Sequence, residues 1–216
     1  MGSILSTVES CDSFTPTVAL TFLVNIAQLL TDDELIKINE SVADLIQLAE
    51  KSCDRAEAKP VIRIILIGSD ASWYIGDANY GVDHFDWTFL NKCNQPGTAL
   101  SDALLMLKSI MDIRILGFNC YRTLSFLISN GRDEDQVAFW ESLNSLNRVT
   151  KLSRDMRISI SISDSNQVEL EAFATRSDIN LPNGEYYENS PLIFKSEEIN
   201  SIKSLLHGFI NPVLVS

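Results

Sequence analysis

Two short runs constrain the fold more than anything else in this chain: Val18 to Val24 (VALTFLV) and Val61 to Ile67 (VIRIILI), both nearly continuously apolar and rich in β-formers. Each has the length of a strand, and apolarity on both faces requires a covering layer on each side. Amphipathic segments between such strands supply those layers. Thr31 and Glu34 form a capping box ahead of Leu35, Ile38, Val42, Leu45 and Ala49, which repeat every three or four residues. Gly97-Thr98 opens a second helix whose buried side is Ala99, Leu100, Ala103, Leu104, Leu107 and Ile110.

The alternation continues to the end of the chain. Leu124 to Ile128 reads as a strand, and Asp133 is placed to cap a helix carrying Val137, Trp140, Leu143 and Leu146. Arg157 to Ser163 alternates strictly, as a strand facing a wetter layer does. A short helix from Asn166 to Thr175, a strand at Leu192 to Phe194 and a closing helix capped by Ser196 follow. Trp73-Tyr74-Ile75 is placed as a hairpin partner at the sheet edge, after a turn at Gly68-Ser69. The expected fold is a doubly wound α/β domain: a mostly parallel sheet with helices on both faces and one antiparallel edge strand. Residues 1–15 read as an N-terminal arm and 16–216 as a single domain.

Charge and composition then exclude whole classes of function. A net charge of -12 disfavours a nucleic-acid partner, which would be held through Lys and Arg on phosphates. No run approaches the roughly 18 to 20 apolar residues that span a bilayer, and no basic leader precedes the domain, so a cytoplasmic location is expected. Cys11, Cys53, Cys93 and Cys120 are too widely spaced for a zinc or redox motif. Gly2 and Ser6 fit the short N-myristoylation pattern, which a cloning scar at Gly2-Ser3 would also produce.

In such sheets ligands bind beyond the carboxyl ends of the strands. Asn25, Thr98 and Asn130 fall at strand ends or at the start of a following helix. The segments Asn25-Ile26-Ala27-Gln28-Leu29, Pro96 to Leu104 and Leu127 to Asp133, in this order, resemble the three metal-holding segments of a von Willebrand factor A (vWA) domain over about residues 16 to 212. Length and the terminal strand and helix are similar to the cytosolic, tellurite-resistance-associated TerY-type subset. The resemblance implies a Rossmann-like sheet and one divalent ion held jointly by the three segments. The residues depart from that pattern. Asn25 and Asn130 stand where the family has aspartates, Ala27 and Leu29 stand where it has hydroxyls, and only Thr98 is kept. The expectation is therefore a degenerate site without metal or other cofactor, in which Asn25 and Asn130 hydrogen-bond with Thr98 and nearby backbone. Asp32, Asp70 and Asp133 are the acids close enough in sequence to compensate.

Catalysis has little support. His84 and His207 have no evident nucleophile beside them, and neither a Gly-x-Ser-x-Gly elbow nor a phosphate-binding glycine loop is present. The irregular stretch from Gly76 to Pro96 gathers Tyr80, Phe85, Trp87 and Phe89 next to Trp73 and Tyr74. These aromatics serve either to hold the loop down or, at Trp73, Tyr80, Phe85 and Trp87, to contact a partner. Tyr186 and Tyr187, in a polar loop from Leu181 to Ser190, form a smaller second cluster. The function expected is a non-catalytic protein-protein interaction module, an adaptor or regulatory subunit. An α/β enzyme or a nucleotide- or metabolite-binding regulator acting at the strand ends is the alternative.

Overall fold

The computed structural model describes residues 17–116, 122–130, 135–150, 155–163, 167–180 and 186–210. The N-terminal arm with Gly2, and Cys11, Cys120 and Asp133, lie outside the described residues. Six strands form the main sheet in the order β3-β2-β1-β4-β5-β8: β1 (Thr17–Asn25), β2 (Lys59–Ile67), β3 (Ala71–Ile75), β4 (Arg122–Ser129), β5 (Asp155–Ser161) and β8 (Ile193–Lys195). All neighbours pair in parallel except β2 with β3. The mixed α/β architecture and its antiparallel edge are those expected.

The two apolar runs lie side by side, with Leu20 opposite Ile62 and Phe22 opposite Ile64, and their side chains point alternately to the two faces. One face carries Leu20, Phe22, Ile62, Ile64 and Phe126 against α1 (Asp32–Arg55) and α5 (Ile202–Ile210). Phe22 and Phe126 stack there with centroids 5.0 Å apart. The other face carries Leu23, Ile65 and Leu127 against α2 (Leu100–Leu116), α3 (Gln136–Thr150) and α4 (Val168–Phe173). Thr31 starts α1 through the capping box: its hydroxyl accepts the Glu34 N–H, and its own N–H donates to the Glu34 carboxylate at 2.7 Å.

Three expectations need correction. The polar stretch up to Ser190 is not simply a loop: Tyr186–Pro191 is strand β7, paired antiparallel with β6 (Arg176–Asn180) in a separate two-stranded sheet. On α3, Phe139, Leu143 and Leu146 are buried while Val137 and Trp140 are exposed, and Asp135 caps the helix by accepting the Ala138 N–H. The closing helix begins as a 3-10 helix (Ser196–Ser201), whose start is tied by the Lys195 N–H donating to Glu198. No described helix is long and apolar enough to cross a membrane.

Candidate functional site

The chain leaves β1 towards β2 through α1, on one face, and returns past β1 to β4 through α2, on the other. The switch point therefore lies between the carboxyl ends of β1 and β4, where a doubly wound sheet opens a crevice. Asn25 ends β1, Ser129 ends β4 and Asn130 follows it; all three are buried.

Asn25 is the centre of this cluster. Its Oδ1 accepts the Ala27 N–H at 2.8 Å, an Asx turn that sends the chain out of the strand. A backbone N–H can face only the amide oxygen, so this contact fixes which end of the amide is which. The Nδ2 group then donates to Ser129 Oγ at 3.0 Å and to Asn130 Oδ1 at 3.2 Å. The amides thus bond to each other and to Ser129 rather than to Thr98. Ser129 was not singled out in the sequence, although it directly precedes Asn130 at the strand end.

The third segment is brought to the same end by a different route. The Ala99 N–H donates to Gly68 O at 2.9 Å, docking the entry to α2 onto the end of β2. Gly97 turns the chain there with φ +121, a conformation that favours glycine. Thr98 beside it is 8% exposed. Ala27 is buried, while Leu29 sits in the turn after β1 and is 61% exposed. Leu29 therefore points outward and does not fill the place of a lost hydroxyl.

Of the three nearby acids, Asp32 pairs with Lys92 at 2.6 Å, which lowers its carboxyl below the usual range. Asp70 is exposed in the β2–β3 turn, and Asp133 lies outside the described residues. Among the described residues no group of three His, Cys, Asp or Glu side chains is arranged to hold a metal ion. Cys93 also reaches this end, its N–H donating to Ile26 O at 2.7 Å. Its thiol is lowered by the backbone N–H groups of Ser69 and Gln95 and by the Ser69 hydroxyl. A Cβ added at Gly68 would come to 3.0 Å from the Cys93 Cβ and Sγ, so a larger residue there would have to push that side chain aside.

The long loop is fastened along its length. Val82 bridges to Ile62, and Asn39 of α1 accepts from Trp87 Nε1 at 3.0 Å and from the Leu90 N–H at 2.8 Å. Glu50 accepts the Phe85 N–H and meets His84 Nδ1 at 3.0 Å, and the carboxylate raises the His84 pKa. Tyr74, Phe85 and Trp87 pack edge to face. Trp73 packs against the opposite core, whereas Tyr80 and Phe89 stay exposed. The side chains of Tyr186, Tyr187 and His207 lie outside the described residues.

No protein-family model and no curated protein sequence matches the chain. Solved structures do. Proximal thread matrix protein 1 from the mussel byssus superposes with a TM-score of 0.57 at 11% identity, over 91% of this chain and 49% of that one. A von Willebrand factor type A protein from Catenulispora acidiphila gives 0.58 at 9%, over 91% and 43%. The manganese-loaded TRAP protein of Plasmodium vivax gives 0.58 at 15%, over 88% and 73%. This chain spans about half, or less, of the first two. The fold is that of vWA-type domains.

Proposed function

We propose that this chain is a non-catalytic protein-interaction module, an adaptor or regulatory subunit, whose vWA-like scaffold works without a divalent ion. One observation carries the reading: the Asn25 amide turns its N–H donors, not its oxygen, towards Ser129 and Asn130. A divalent ion at this place needs converging oxygens, ordinarily with at least one carboxylate. Here the Asn25 oxygen is taken by the Ala27 N–H, the Asn130 oxygen accepts from the Asn25 amide, Ala27 offers a methyl and Leu29 faces away. The residues present do not fit the ion that the fold family uses.

The amides make sense once the ion is gone. Two aspartates buried opposite each other without a cation would repel and lose hydration. A pair of amides keeps the strand ends tied without burying charge. Leu29, Val137 and Val168 begin the connections after β1, β4 and β5, and all three are exposed. Exposed apolar side chains at one end of a rigid sheet are suited to a protein partner.

The test is affinity capture with the full chain as bait, run in parallel with magnesium and with EDTA. The same partner is expected in both. A partner that is recovered with magnesium and released by EDTA overturns the ion-independent reading.

A further inference from the structure

We propose that the groove between the C-terminal half of α1 and the start of the closing helix is a docking site for a short acidic segment of a partner protein. Its volume is about 460 Å³. Lys51 and Arg55 of α1 line one wall, Asn200 and Lys203 line the other, and Leu48 and Ile199 form the less exposed base. Asp44 is the only acid among the lining residues.

The cations are out of place in a chain with 29 acidic and 17 basic side chains. Several other cations are paired: Lys37 meets Glu197, Lys59 meets Asp83, Lys92 meets Asp32 and Arg157 meets Asp155. Among the described residues, the side chains of Lys51, Arg55 and Lys203 make no ion pair and no hydrogen bond. Lys51 and Arg55 are four apart on one helix, a spacing at which like charges repel. Lys203 adds a third positive charge across the groove. An incoming anion relieves that repulsion.

Charge also limits what the anion is. The net charge of -12 repels an extended polyanion such as a nucleic acid or an anionic bilayer, whose charge continues past the groove. A short segment places only a few carboxylates here, where the Arg55 fork can take one in two hydrogen bonds. The aliphatic base formed by Leu48 and Ile199 accepts an apolar side chain between the acids. This inference stands apart from the reading of the strand ends and holds whether or not an ion binds there.

The experiment measures fluorescence anisotropy of a short labelled peptide of glutamates around one leucine, titrated with the full chain at low ionic strength. Binding is expected to exceed that of the glutamine version of the peptide and to fall as salt screens the charges. The triple variant Lys51→Glu/Arg55→Glu/Lys203→Glu should weaken it by roughly tenfold or more, while Arg148→Glu, a charge reversal on α3 across the sheet, changes it less than about twofold. A melting curve checks that the triple variant is folded, and a glutamine triple variant gives the same readout if it is not. Equal affinity for the glutamine peptide, indifference to the substitutions, or tighter binding of an oligonucleotide or of phosphatidylserine vesicles would each overturn the proposal.

Discussion

Asn25 and Ser129 at the strand ends, and Thr21, Thr123 and Ser125 further down the same two strands, face the same side of the sheet, yet the two groups are finished differently. At the ends, every polar group of the Asn25 side chain has a partner: two acceptors for its two N–H groups and one N–H for its oxygen. Lower down, Thr21 lies opposite Ser125 and Ser125 opposite Arg157, but the hydroxyls of Thr21, Thr123 and Ser125 are buried without a hydrogen bond. The lower hydroxyls serve as small side chains under the helices. The upper cluster is a connected arrangement that holds β1, the turn after it and β4 together. Beside it, the backbone N–H groups of Ser69 and Gln95 lower the Cys93 thiol.

The largest expected effect separates these zones by mutation. Asn25→Leu leaves the Ala27 N–H, Ser129 and Asn130 without their buried partner, so denaturant unfolding should show a loss of about 2–4 kcal/mol. Thr21→Val removes an unpaired hydroxyl at nearly constant shape. It should be neutral or stabilising by up to about 1 kcal/mol in the same measurement. Similar losses for both variants would erase the distinction.

Thiol reactivity sharpens the contrast on a second scale. Burial, followed by the charges of Asp54 and Glu50, pushes Cys53 up to about 12, whereas the N–H donors at the strand end lower Cys93. Peptide mapping after brief iodoacetamide treatment at neutral pH should find Cys93 modified and Cys53 intact until the protein unfolds. Early modification of Cys53 would mean that the α1 layer opens on its own.

The smallest effect concerns the loop. His84 has a raised folded pKa through Glu50, so its contribution to stability is full below the unfolded value and is lost as pH rises through the folded one. Wild type should therefore lose slightly more melting temperature than His84→Gln between about pH 6 and pH 8. Parallel curves would show that the loop is held by Asn39 and the aromatic packing alone.

How far the sequence could be read followed from how strongly burial marks it. Strands covered on both faces are mostly apolar, so β1, β2 and β4 were plain, and their ends placed Asn25 and Asn130 together. The β6–β7 hairpin was not legible because RSDIN and YYENSP pair with each other outside the main sheet and carry no core pattern. The buried side of α3 was misplaced because Leu143 and Leu146 continue both from Phe139 and from Val137 and Trp140; only packing chooses Phe139. Which end of the Asn25 amide faces the crevice was also invisible, since it depends on the turn geometry at Ala27. The unpaired cations of the α1 groove come from segments about 150 residues apart, and only the fold brings them together.

The central claim, that the strand ends are closed by amides rather than by an ion, is tested most directly by calorimetric titration of the wild-type chain with manganese. No saturable heat is predicted, with a melting temperature the same in manganese and in EDTA. Stoichiometric binding, abolished by Asn25→Ala with the fold intact, would contradict it.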